Sequence, residues 1–278
     1  MVPHPPVVVV TGANKGIGFE VCKKLIGNGA RVIMSARDEK RLREAADTLK
    51  PYGAVQLDVS DAASIEGAKA QISKLTPSID ALVNNAAVLL DEDDSEASYE
   101  QSRRTIEVNL YGCVKVTEAF WPMMADKGRV VNVSSALGNL SQVSEPLQKR
   151  LASPESTVED IFRIADDYLE AAKTGHVVKA GFAKNMYGTS KLLLIAWTKA
   201  LAREALMDPR RIVVTTCTPG YCATDMTKYK GVLSAAEGAE VISWLGAECE
   251  YDASMSGKMY RGKQEEENNK FVFKVESR

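Results

Sequence analysis

The sequence predicts an α/β fold: one domain on a doubly wound, seven-stranded parallel sheet, with helices on both faces and a helical insertion before Tyr187. Three observations predict it. Short runs rich in β-branched residues alternate with longer stretches of helical periodicity. The first such run leads straight into a glycine-rich turn followed by a helical pattern. A chain of 278 residues without a Pro/Ser/Gly-rich linker also suits a single large core spanning 1–278.

Taken in order, strands are predicted at 7–10, 31–35, 54–57, 81–84, 129–133, 212–217 and 258–260, each too short and too β-branched for a helix. Between them fall helical patterns at 19–26, 40–49, 62–75, 98–124 and 187–206. The 140–183 segment carries its own helix. Ser156-Thr157-Val158-Glu159 has the form of a capping box, and Ile161, Ile164, Ala165, Tyr168, Leu169 and Ala172 repeat near the helical period. The acidic stretch 91–96 reads as a solvated loop. In the 263–278 extension a polar run gives way to Phe271-Val272-Phe273, a candidate short strand.

Two motifs carry chemistry. Val7-Val8-Val9-Val10 runs into Thr11-Gly12-Ala13-Asn14-Lys15-Gly16-Ile17-Gly18, a strand, glycine turn and helix start that suits a dinucleotide pyrophosphate. Tyr187-Gly-Thr-Ser-Lys191 places a phenol and an ammonium at i and i+4 of one helix face. A free tyrosine titrates at roughly 10, and a nearby cation favours its phenolate, so the pair can exchange a proton.

With these motifs the chain resembles the short-chain dehydrogenase/reductase family, over roughly residues 7–260. Further matches follow in family order. Asp58-Val59 looks like the adenine-side acid and its neighbour, and Asn84-Asn85-Ala86 matches the mid-chain asparagine signature, with Ala87 where the family has glycine. Asn109 matches the catalytic asparagine, Ser135 the catalytic serine, and Pro219-Gly220 with Thr224 the segment that covers the nicotinamide. The gap between Ser135 and Tyr187 is about forty residues longer than in most members. With Asn14-Lys15 and Arg37-Asp38, this insertion is similar to the monomeric carbonyl reductase branch, whose architecture the plant alkaloid and terpenoid ketone reductases share.

The resemblance implies a Rossmann-type fold and a catalytic set of Asn109, Ser135, Tyr187 and Lys191. Tyr187 would be the proton donor, Lys191 would lower its pKa and bind the nicotinamide ribose, Ser135 would donate to the carbonyl oxygen, and Asn109 would hold a relay water. Gly12, Asn14, Lys15, Gly16, Ile17, Gly18, Arg37, Asp58, Val59, Asn85, Pro219, Gly220 and Thr224 would hold the cofactor together with Tyr187 and Lys191. Asp38 lies about twenty residues past Gly18, where NAD enzymes of some dinucleotide folds carry an acid. In the family alignment, however, that acid stands where this chain has Ala36, and Arg37 with Lys15 looks like a 2′-phosphate site, so NADPH is the expected cofactor.

Ala136, Leu137, Phe182, Met186, Tyr221 and Met226 flank these groups and predict an apolar or aromatic ketone, aldehyde or quinone as substrate. A specialised alkaloid, terpenoid or steroid ketone reductase is the alternative, and a non-catalytic NADPH-sensing regulator is a rival of another class. With 35 basic against 37 acidic residues, the net charge of −2 offers nothing to nucleic acid or anionic lipid. No run of eighteen apolar residues occurs, so a soluble cytoplasmic protein without membrane partners is expected. The five cysteines lack metal-ligand spacing and read as reduced thiols. The apolar stripe of the insertion must be buried, and covering the helices that pair in family tetramers would leave a monomer.

Overall fold

The computed structural model describes residues 4–90, 98–264 and 271–276, so the acidic stretch 91–96 and most of the polar run after Gly262 lie outside the described residues. Its centre is one sheet with the order β3-β2-β1-β4-β5-β6-β7-β8. The strands are β1 (Val7–Thr11), β2 (Arg31–Ala36), β3 (Gly53–Gln56), β4 (Ile79–Asn84), β5 (Met124–Val133), β6 (Val213–Thr218), β7 (Met259–Gln264) and β8 (Phe271–Val275). The first seven pair in parallel, as predicted. The eighth corrects the expected count: β8 folds back antiparallel on β7 across the polar run, and Phe273 stacks on Trp244 with centroids 4.6 Å apart.

Alternation along β1 shows why the central strand is apolar throughout. Val8 and Val10 face one core, with Val21, Cys22 and Leu25 of α1 (Gly16–Gly27) and Val241 and Ile242 of α9 (Ala235–Ser243). Val7 and Val9 face the other, with Ile65 and Ile72 of α3 (Ala62–Leu75) and Val116 and Phe120 of α5 (Gly112–Phe120). A sheet covered on both faces can expose neither set. On the β2 side, α2 (Glu39–Leu49) is capped by Asp38, whose carboxylate accepts from the Arg41 amide at 3.0 Å.

The helix expected over 98–124 is broken. It runs as α4 (Tyr99–Ile106), a π turn over Glu107–Tyr111 and then α5. Asn109 lies in this turn, of a kind often found at functional sites, and its side chain bonds to groups outside the helix.

The insertion holds two helices, α6 (Glu145–Ala152) and α7 (Val158–Lys173). The capping box of α7 sits one residue later than predicted, with Thr157 and Asp160 as its reciprocal pair. Ile161, Ile164, Ala165 and Tyr168 form a third core with α4 and the long helix α8 (Met186–Glu204). No helix among the described residues is long and apolar enough to cross a membrane. Because Ile164 is fully buried in this third core, Ile164→Ala should lower unfolding free energy by about 2–5 kcal/mol in urea titration. A change below half a kcal/mol would show that the insertion is not docked on α4 and α8.

Candidate functional site

A cleft of about 500 Å³ runs along the carboxyl ends of β1, β2, β4 and β5, from the glycine turn to the first turns of α8. Gly12, Asn14, Lys15, Gly16, Ile17 and Gly18 line its start. The turn is too tight for a side chain at Gly18, where a Cβ would lie 2.4 Å from the Gly12 carbonyl oxygen and 2.5 Å from Asn85 Nδ2. No side chain caps the N-terminus of α1. Its free amides therefore face the cleft and suit an anion.

The two asparagines after β4 have separate tasks. Asn85 lines the cleft and donates through Nδ2 to the carbonyls of Thr11 and Gly12, at 2.9 and 3.2 Å, so it fixes the glycine turn. Asn84 is buried and donates to Thr117 Oγ1 and Asn132 Oδ1, at 2.8 and 2.9 Å. Ala87, where the resemblance expects glycine, has no positive φ, so the local backbone tolerates alanine.

At the far end of the cleft the wall includes Arg37, Asp38, Asp58 and Val59. Asp58 Oδ1 accepts from the Ser60 hydroxyl at 2.6 Å and from its amide at 3.0 Å, and Arg37 Nε lies 4.0 Å from Asp58 Oδ2. Burial would raise the Asp58 carboxyl, yet the Ser60 hydrogen bonds and the charges of Arg37 and Arg104 hold it below its ordinary value. Arg41 and Arg104 also line the wall and were missed in the sequence. Lys15, on the opposite lip, donates to Asp225 Oδ2 at 2.7 Å.

At the catalytic end, α8 starts at Asn185, whose side chain accepts from the Gly188 amide. Gly188 matters because a Cβ there would meet the Leu137 carbonyl oxygen at 2.9 Å; its absence lets the chain after β5 pass against α8. Tyr187 and Lys191 both line the cleft. The Lys191 ammonium is buried, donates to the Val133 carbonyl at 2.8 Å and lies 5.6 Å from the Tyr187 ring centroid. Burial pushes its pKa down to about 8.

Several predicted residues sit elsewhere. Ser135 and Gly220 are not part of the cleft wall, although Ser134 and Pro219 beside them are. Ser135 Oγ accepts from the Leu137 amide at 3.2 Å, which leaves its hydroxyl proton free to donate. Asn109 is fully buried behind the wall. Its Oδ1 accepts from Val88 N at 2.8 Å, and its Nδ2 donates to Val88 O at 2.9 Å and to Ser190 Oγ at 3.0 Å. Its side chain therefore pins the 86–90 wall to α8, and both amide protons are committed to protein rather than to the expected water.

Of the residues expected to face a substrate, Phe182 and Met186 are instead packed in the third core, with Phe182 edge-on to Tyr168. Leu137, Tyr221 and Met226 stay exposed, and Met226 lines the cleft beside Val88, Leu89 and Leu90, which were not anticipated. Among the described residues no group of three or more His, Cys, Asp or Glu could hold a metal.

The Lys191 shift carries a pH signature. Its pKa falls from 10.5 to about 8 on folding, so between those values the unfolded chain binds more protons and stability rises with pH. Comparing urea unfolding of wild type and Lys191→Met should show the difference moving in favour of wild type by roughly 2–3 kcal/mol from pH 7 to pH 10. A difference flat with pH would mean the ammonium is not desolvated.

Comparison with known proteins places this architecture. The short chain dehydrogenase family model matches residues 6–147. (+)-Neomenthol dehydrogenase of Arabidopsis thaliana is 38% identical over 271 residues, covering 84% of this chain and 89% of that protein. Carbonyl reductase [NADPH] 1 of Rattus norvegicus is 33% identical over 252 residues, covering 86% and 90%. The structure of salutaridine reductase from Papaver somniferum superposes with a TM-score of 0.79 at 31% identity, over 87% of this chain and 95% of that one. On the matched motifs, the sheet and these relatives together, the chain belongs to the short chain dehydrogenase family, oxidoreductases acting on carbonyl and alcohol groups.

Proposed function

We propose that this protein is an NADPH-dependent carbonyl reductase that converts an apolar or aromatic ketone, aldehyde or quinone to the alcohol, with Tyr187 as proton donor. One observation carries the reading: a desolvated ammonium, Lys191, lies beside Tyr187 at the end of a cleft that begins at an anion-binding glycine turn. The cleft fits a dinucleotide, since the uncapped start of α1 opens on it and Lys15, Arg37 and Arg41 supply cations for a 2′-phosphate. The nicotinamide, when bound, supplies the hydride.

The chain's own groups do the rest. Negative charge grows on the carbonyl oxygen as its carbon is reduced; Tyr187 in the cleft is the donor there, and the Ser135 hydroxyl, next to Ser134 of the wall and with its proton uncommitted, is assigned as the second. Tyr187 gives its proton to that oxygen, and Lys191 stabilises the phenolate left behind. Asn109 acts by holding Val88 and Ser190, which fixes the wall opposite α8. A regulator that only senses NADPH would need no proton donor beside the ammonium, and both Tyr187 and Lys191 are retained in the cleft.

A narrower reading, a specialised terpenoid or alkaloid ketone reductase, draws support from likeness to the neomenthol dehydrogenase and salutaridine reductase. The exposed Leu89 and Met226 in the cleft wall give such bulky apolar ketones apolar surface to meet. The reading includes a cytoplasmic monomer, because α6 and α7 cover the α4 and α8 surface.

NADPH oxidation should follow addition of aromatic and cyclic apolar ketones, and Tyr187→Phe should lower kcat by about 10²–10⁴-fold while NADPH still binds. Tight NADPH binding without turnover on any carbonyl would favour the regulator. Sedimentation equilibrium should return the mass of one chain, 30.2 kDa; a tetramer would refute the covering role of the insertion.

A further inference from the structure

The segment after Gly220 closes on itself. Cys222 bridges to Leu233, with Ala223 N donating to Leu233 O at 2.7 Å and Leu233 N to Tyr221 O at 3.0 Å. Inside this neck a single turn over Asp225–Thr227 is capped reciprocally by Thr224 and Thr227. Lys228 and Tyr229 then take left-handed backbone, φ 50° and 58°, and the Tyr229 amide donates back to the Thr224 carbonyl at 2.9 Å. A loop hydrogen-bonded within itself moves as a unit about its neck.

Apolar packing does little to hold its tip, since Tyr229 is 69% and Val232 86% exposed. Yet the loop forms part of the cleft wall through Thr224, Asp225 and Met226. Its polar tie to the opposite lip is Asp225, which accepts from Lys15 of the glycine turn at 2.7 Å and from the Tyr229 hydroxyl. The hydrogen bond from Lys15, followed by that from Tyr229, holds the Asp225 carboxyl below its ordinary pKa, so it is anionic at neutral pH. An ammonium has three protons, so Lys15 can meet a phosphate without leaving Asp225.

We propose that Asp225 is a positioning residue that latches the 221–233 loop onto the glycine turn through Lys15, and so sets the rate at which NADPH leaves the cleft. The inference rests on the cofactor reading above. It differs from a simple charge effect in sign. An acid beside a phosphate-binding lysine weakens NADPH, so removing it should slow release; a latch that is cut should speed it.

The test is NADPH release from the full-length protein, followed by the loss of bound-cofactor fluorescence in stopped flow. The Lys15 and Asp225 side chains are 50% and 46% exposed, so Asp225→Asn should release NADPH about two- to fivefold faster than wild type, the range an exposed ion pair supports. Tyr229→Phe, which alters no charge at neutral pH, should also speed release. A merely structural role would lower the melting temperature and leave the release rate unchanged. Slower or unchanged release from Asp225→Asn overturns the latch; faster release there with Tyr229→Phe unchanged keeps the Lys15 tie and removes Tyr229 from it. Failure of the wild type to bind NADPH would instead overturn the cofactor reading.

Discussion

The structure depends on an ammonium held where water is scarce. Lys191 sits at the end of β5 and donates to the Val133 backbone carbonyl, beside the Tyr187 ring. Desolvation disfavours the charge, and a fall in pKa to about 8 is the measure of that penalty. An ammonium so placed interacts strongly with any negative charge that develops nearby, because little solvent screens it. The same placement that weakens the fold underlies the proposed role of the neighbouring phenol as proton donor. Stability elsewhere has to hold Lys191 in position against its tendency to return to water.

A buried polar ladder does this. Asn132 on β5 accepts from Asn84 on β4 at 2.9 Å and donates to Thr198 on α8 at 2.9 Å, while Asn84 also donates to Thr117 on α5. Both asparagines and both threonines are buried, so a slip of α8 against the sheet would strand them without partners. Ser134 Oγ donates to the Lys191 carbonyl at 3.0 Å and ties the backbone of that residue to the end of β5. From the outer side, α7 packs its apolar face on α4 and α8. The register of α8 is therefore set by hydrogen bonds inside and by packing outside, and Lys191 inherits both.

Much of this was legible in the residues, and the failures have physical causes. Central strands such as β1, β4 and β6 were visible because both their faces are buried, which forces apolar runs. The eighth lay beyond a polar run that masks the return of the chain, although Phe271-Val272-Phe273 marked it. The break in the 98–124 helix was not legible in the helical periodicity, and the partners that Asn109 meets from its π turn, Val88 and Ser190, lie 21 and 81 residues away. Phe182 and Met186 were misplaced because nearness to Tyr187 in sequence says nothing about side; the chain turns at Asn185, and both side chains point into the core under α7. Arg41 was passed over because α2 begins only at Glu39, so its approach to the wall near Arg37 depends on how the helix leaves β2.

The cations at the ribose end show one more constraint. Lys15, Arg37 and Arg41 line the same cleft, and each faces an acid: Asp225 at 2.7 Å, Asp58 at 4.0 Å and Asp38 at 3.4 Å. Three unpaired cations in one cleft would repel one another and destabilise the fold, so the pairing makes the charged site compatible with the folded chain. All three pairs are substantially exposed, which keeps each of them weak. Weak pairs can admit a dianion with little loss, whereas buried bidentate pairs would resist it. Under the proposed reading, a phosphate entering here would join an existing network of cations held in place by their own acids, and its recognition would depend on geometry as much as on net charge.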